Sequence, residues 1–113
     1  MKKFIVIYHA PADAIQQTAG MSKEEQAKGM EAWIAWAKKC GDKLVDLGAP
    51  LMNGQQLIPG GKSKPSGKNV SGYSVLQANN MEEAKQLLHG HPHLAWNADC
   101  SIEVHETMPL PGM

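Results

Sequence analysis

Hydrophobic and polar positions alternate between two rhythms along this chain. Residues 3–9, "KFIVIYH", form a nearly unbroken apolar run rich in β-branched and aromatic side chains, which predicts a central strand covered on both faces. "APADAIQQTAGM" follows as a connection of small residues punctuated by Pro11 and Gly20, and then Ser22 and Glu25 stand at capping-box spacing, so a helix begins there. Met30, Trp33, Ile34, Ala37 and Cys40 recur at steps of three and four along it, with Lys28, Glu31, Lys38 and Lys39 on the other side. Gly41 ends the helix.

The extended style resumes in "KLVDLGAPLM", where Gly48 and Pro50 predict a bend and an edge position. "IPGGKSKPSGKN" concentrates Gly, Pro, Ser and Lys and predicts a mobile, solvated loop or long hairpin tip. "VSGYSVLQA" alternates as a half-buried strand. Asn80 and Glu83 repeat the capping-box spacing before a short helix that stops near Gly90 or Pro92, and "SIEVHETM" gives a last strand closed by Pro109. The order is β-α-β, β-α-β. Right-handed crossovers put both helices on one face of a four-stranded antiparallel sheet, so the fold class is α+β, ferredoxin-like βαββαβ. The other sheet face is then bare, and the expected remedy is a second copy packed against it, giving a homodimeric α/β barrel around a cleft.

Length changes little in this picture: 113 residues make one domain, residues 1–113. Charge excludes more. Eleven lysines and no arginine against eleven acidic residues give a net charge of zero, without the basic footprint of a nucleic-acid or anionic-membrane partner. The apolar run at the start is shorter than a signal core of roughly 7–15 residues, and no stretch approaches the roughly 20 apolar residues of a membrane span. The expected location is therefore cytoplasmic, with Cys40 and Cys100 reduced.

The stretch "LLHGHPHLAW" sets His89, His91 and His93 at alternate positions. Gly90 and Pro92 interrupt what would otherwise be a strand presenting three imidazoles together, so the expectation is a helix-terminating turn and no metal. No cofactor-cradling Gly-rich loop, nucleophile elbow or paired-carboxylate site is present, and no cofactor is expected.

Together, "KFIVIYH", "WIAWAKKCGDKLVDLGAPL" and the region from Gly72 through "MEEA", "GHP" and the strand Ser101 to Val104 resemble the YCII-related family of small dimeric α/β-barrel proteins. The Asp-Gly-Pro-Phe box of the related DGPF group is absent. The resemblance implies the dimeric barrel and, for the wider family, lyase- or isomerase-like chemistry by a His–Asp pair whose histidine lies on the first helix. Trp33 stands about where that histidine would be, so the role does not transfer to this helix; Asp46 matches the carboxylate.

His9, at a strand end, is the best acid–base candidate, because a neutral imidazole near pH 7 both gives and takes protons. Asp46 is the carboxylate expected to orient it. Trp33, Trp36, His91 and His93 are the candidate ligand-binding residues, with core packing the plainer reading for the tryptophans. Two functions follow: binding of a small organic molecule in the dimer cleft, with weak acid–base turnover, or a non-catalytic interaction module. The apolar tail "MPLPGM" is expected across the partner or the barrel rim. Whether the protein is an enzyme, and on what substrate, the sequence leaves open.

Overall fold

The computed structural model describes residues 1–112; of the apolar tail, Met113 lies outside the described residues. Strand β1 (Lys2–His9) is followed by helices α1 (Ala12–Ala19) and α2 (Lys23–Cys40), a 3-10 turn, strands β2 (Leu44–Asp46), β3 (Gln55–Ile58), β4 (Lys62–Pro65) and β5 (Val70–Ala78), helices α3 (Met81–Leu88) and α4 (Pro92–Trp96), and strand β6 (Ser101–Glu106). Strands β2-β5-β1-β6 form one antiparallel sheet, the ferredoxin-like order, with β1 central as its composition implies. The fold is α+β, with its helices packed against one face of a four-stranded antiparallel sheet.

Period-two alternation decides what each sheet face meets. Phe4, Val6 and Tyr8 of β1 and Ser74, Leu76 and Ala78 of β5 are buried, packed with Trp36 and Cys40 of α2 and Ala84 and Leu88 of α3. Each large apolar side chain buried this way contributes about 1.5–3 kcal/mol. The opposite face carries Ile5, Ile7 and His9 beside Val75 and Tyr73 of β5 and His105, Glu103 and Ser101 of β6. Its β1 and β5 side chains are half-buried, so β1 is covered on one face and not on both as its composition suggested.

Both capping boxes form in half. Ser22 Oγ accepts from the Glu25 amide at 3.2 Å and Asn80 Oδ1 from the Glu83 amide at 2.9 Å. The Glu83 carboxylate turns to Lys43 and Asn79 instead of back to its cap, tying α3 to the 3-10 turn before β2.

Two local readings are corrected, and of the two alternatives for the Gly/Lys-rich stretch the hairpin is the one observed. "ADAIQQTA" is helix α1, whose interior holds no breaker because Pro11 precedes it and Gly20 follows. The Gly/Lys-rich stretch is a hairpin in its own two-stranded sheet, β3 with β4, turning through Gly60 and Gly61 at positive φ, where only glycine is unstrained. The "HPHLAW" turn is itself a helix, α4, with Pro92 at its first position and the His91 ring as N-cap. Trp96, the last residue of α4, is 43% exposed.

Candidate functional site

His9 reaches the open face through an irregularity in the sheet. Tyr8 pairs with Gly72 and His9 with Val70, so Ser71 is an extra residue bulged from β5, and its hydroxyl donates to the Tyr8 carbonyl at 3.2 Å. Bulges of this kind bend a strand and re-aim its side chains. Just before the bulge, Asn69 takes φ 57°, a left-handed conformation that asparagine tolerates. The turn brings the Lys68 carbonyl to His9 Nδ1 at 2.7 Å.

The other ring nitrogen, Nε2, lies 3.0 Å from Glu103 Oε1 on β6. A carbonyl oxygen only accepts, as does an ionised carboxylate, so this geometry is satisfied in full by a ring with a proton on each nitrogen. The hydrogen bond from His9 holds the Glu103 carboxyl below its ordinary range, and His105 Nε2, 3.7 Å from the same oxygen, acts in the same direction. This pair sits in a cleft of about 460 Å³ lined by His9, Pro11, Lys68, Asn69, Asp99 and Glu103 among others.

The structure does not bring His9 and Asp46 together. Asp46 aligns with Val75 and His9 with Val70, with β5 between their strands, so they stand roughly 15 Å or more apart. Asp46 Oδ1 instead accepts from the Gly48 amide at 2.8 Å, closing its own turn. Glu103 holds the position beside His9. The signal for it was present: in an antiparallel β1–β6 pair, the glutamate alternating with Ile102 and Val104 faces the same side as His9.

Trp33, Trp36, His91 and His93 do come together, beneath the helices and away from the His9 ring. The His91 ring lies 4.5 Å from Trp33, 4.4 Å from Trp36 and 5.1 Å from Tyr8 between ring centres. His91 is 1% exposed and His93 3%, so neither offers surface to a ligand. His91 Nδ1 accepts from the His93 amide at 2.9 Å, which leaves its proton on Nε2, facing the Tyr8 hydroxyl at 3.3 Å. Tyr8 in turn donates to Ser74 Oγ at 2.8 Å, and Ser74 to the Leu47 carbonyl at 2.6 Å. Every donor in this chain has an acceptor. Burial pushes His91 down to about 4 and the Tyr8 phenol up to about 12, so both are neutral near pH 7. His93 Nε2 donates to the His9 carbonyl at 2.8 Å, the link between the buried cluster and the strand end.

His89 is the C-cap of α3, exposed and on the rim of a second groove of about 470 Å³ that also touches Trp36, Lys39 and Pro92. Of the three histidines of the run, His91 and His93 thus share the buried cluster and His89 stands apart on the surface. Among the described residues no group of three or more His, Cys, Asp or Glu is arranged to hold a metal ion, and no helix is long and apolar enough to cross a membrane.

No protein-family model matches the sequence, and no curated protein is significantly similar to it. Among solved structures, the fold is similar to that of 5-chloro-2-hydroxyhydroquinone dehydrochlorinase (TftG) from Burkholderia phenoliruptrix AC1100, determined in complex with 2,5-dihydroxybenzoquinone. The TM-score is 0.53, with 13% sequence identity over 89% of this chain and 90% of that one.

Proposed function

We propose that this protein is a YCII-related homodimer that binds a small organic molecule in the His9 cleft and acts on it by lyase- or isomerase-type acid–base chemistry. One observation carries the reading: a histidine held at both ring nitrogens by oxygen acceptors at the wall of a cleft of about 460 Å³. The fold it shares with an enzyme that holds a small hydroxylated quinone supports a ligand of similar size and polarity.

The Lys68 carbonyl fixes the His9 ring, so only Nε2 can change partners. A carbonyl oxygen of the ligand takes the place of Glu103 there and accepts a charge-assisted hydrogen bond from Nε2–H. The displaced Glu103, 55% exposed and free to swing, is the base. It takes a proton from the carbon next to that carbonyl, His9 gives its Nε2 proton to the carbonyl oxygen so that the enol forms, and Glu103 then passes the proton it took to His9 Nε2, which restores the pair. Trp33, Trp36, His91 and His93 make the rigid floor from which the strand end is held. A second copy over Ile5, Ile7, Tyr73 and Val75 closes the cleft against water.

A titration with 2,5-dihydroxybenzoquinone and a panel of enolisable carboxylic acids tests this. At least one compound is expected to raise the melting temperature of the wild-type protein and to bind about tenfold more weakly to the His9→Ala variant. An equal shift in that variant would remove His9 from the site. A non-catalytic interaction module is the second reading, favoured by the exposure of Met108 and Leu110 in the tail, and a panel without a single hit would leave it standing.

A further inference from the structure

We infer that His93 is a positioning residue for His9. This rests on the reading of His9 as the ligand-facing donor, and it concerns how that donor is aimed. The β1 ladder ends at His9, beside the Ser71 bulge, where the sheet itself fixes a side chain least well. From the open face the His9 ring is held by the Lys68 carbonyl and by Glu103. From the helix side the His9 main chain is held by His93, whose Nε2–H meets the His9 carbonyl at 2.8 Å. The residue is clamped on both faces of the sheet.

The clamp is itself anchored. The His93 amide donates to His91 Nδ1, and the chain through Tyr8 and Ser74 ends on the Leu47 carbonyl beside β2. His93 is 3% exposed, so its ring has no water to exchange the carbonyl for. Its tautomer follows from the partner: a carbonyl accepts, so Nε2 carries the proton. A histidine here does what leucine or phenylalanine of similar bulk cannot, because burial without a donor would leave the strand free to settle with the His9 ring off the Lys68–Glu103 line.

The experiment compares His93→Gln, whose side-chain amide can replace the Nε2 donor, with His93→Phe, which fills the space without one. The readout is the pair of His9 ring-nitrogen resonances in long-range proton–nitrogen correlation spectra near neutral pH. The expected result is wild-type His9 signals in His93→Gln and displaced, exchange-averaged signals in His93→Phe, with ligand binding about tenfold weaker only in the latter. A folded His93→Phe protein with unchanged His9 signals overturns the assignment. If that variant does not fold, scalar coupling between His93 Nε2 and the His9 carbonyl in the wild-type protein decides instead, and its absence overturns the assignment equally. Displaced His9 signals in a protein that binds no compound of the panel would retire the functional reading and leave the positioning role intact.

Discussion

Tyr8 of β1 and Ser74 of β5, diagonal neighbours on the helix-covered face of the sheet, share a hydrogen bond of 2.8 Å at full burial, with the His91 ring as the third member. Polar groups so deep are tolerable because each finds a partner, and the described residues contain no buried side-chain nitrogen or oxygen without one. Removing a single member leaves another stranded. Tyr8→Phe takes away the acceptor of His91 Nε2–H and is expected to cost about 1–3 kcal/mol in urea unfolding. Tyr8→Phe combined with His91→Leu should cost less than the sum of the two single changes, since the Nε2–H that Tyr8→Phe strands is gone in the double variant, while the loss of the His93 amide's acceptor belongs to His91→Leu in either background. Strict additivity in that double-mutant cycle would show that the two side chains do not interact.

The neutral state of His91 makes stability depend on pH in a stated direction. Burial, with His93 adding to it, lowers this imidazole from 6.5 to about 4. Above 6.5 the folded and unfolded chains are both unprotonated there and the full stability is present. As the pH falls from 6.5 towards 4, the unfolded chain takes up a proton that the folded one refuses, and about 3 kcal/mol is lost. His93, lowered chiefly by burial, works in the same direction. Urea midpoints should therefore decline over this window in the wild-type protein and less steeply in His91→Gln; parallel curves would contradict the assignment.

Glu103 and Asp46 separate what geometry assigns from what sequence suggested. Glu103→Gln keeps the shape but removes the charge facing His9 Nε2, and in the functional reading it removes the base. Any turnover found for a panel compound should fall by at least about a hundredfold. Asp46→Asn can still accept from the Gly48 amide, and both turnover and stability should stay within about 0.5 kcal/mol of wild type. The reverse ranking in steady-state kinetics would return the carboxylate role to β2.

The four strands of the main sheet and helices α2 and α3 were legible from apolar runs, alternation and capping-box spacing. Which face of β1 the helices cover was not, because "KFIVIYH" is apolar on both sides, and of the α2 stripe Met30 and Ile34 are exposed while Trp33 and Cys40 pack. Helix α1 was not, because "ADAIQQTA" is short and flanked by Pro11 and Gly20, which read equally well as loop punctuation. Nor was α4, where the His91 ring replaces the usual Ser or Asp cap. The site was half legible. His9 announces itself as a strand-end histidine, but its partner depends on which strand lies beside β1. The family resemblance favoured Asp46, whereas the sheet order puts β5 between them and sets β6, with Glu103, alongside. His91 and His93 looked like ligand residues because a turn at the end of the second helix can border the dimer cleft; the chain instead spends them on capping a helix and pinning a strand end.

The remaining expectation concerns the open sheet face. Ile5, Ile7, Tyr73 and Val75 form an apolar centre flanked by His9, Glu103 and His105, and a net charge of zero puts little repulsion between copies. The protein should therefore sediment as a dimer at micromolar concentration. Ile7→Asp places a charge at the middle of that face, opposite Tyr73 and Glu103, without touching the Phe4, Val6 and Tyr8 side of the same strand. It should give a folded monomer with native circular dichroism and no binding of any compound that the dimer binds, because the cleft then loses its cover. A dimer unaffected by Ile7→Asp would move the interface elsewhere on the molecule, and a wild-type monomer would leave the His9 cleft open to water, where an exposed ion pair is worth little.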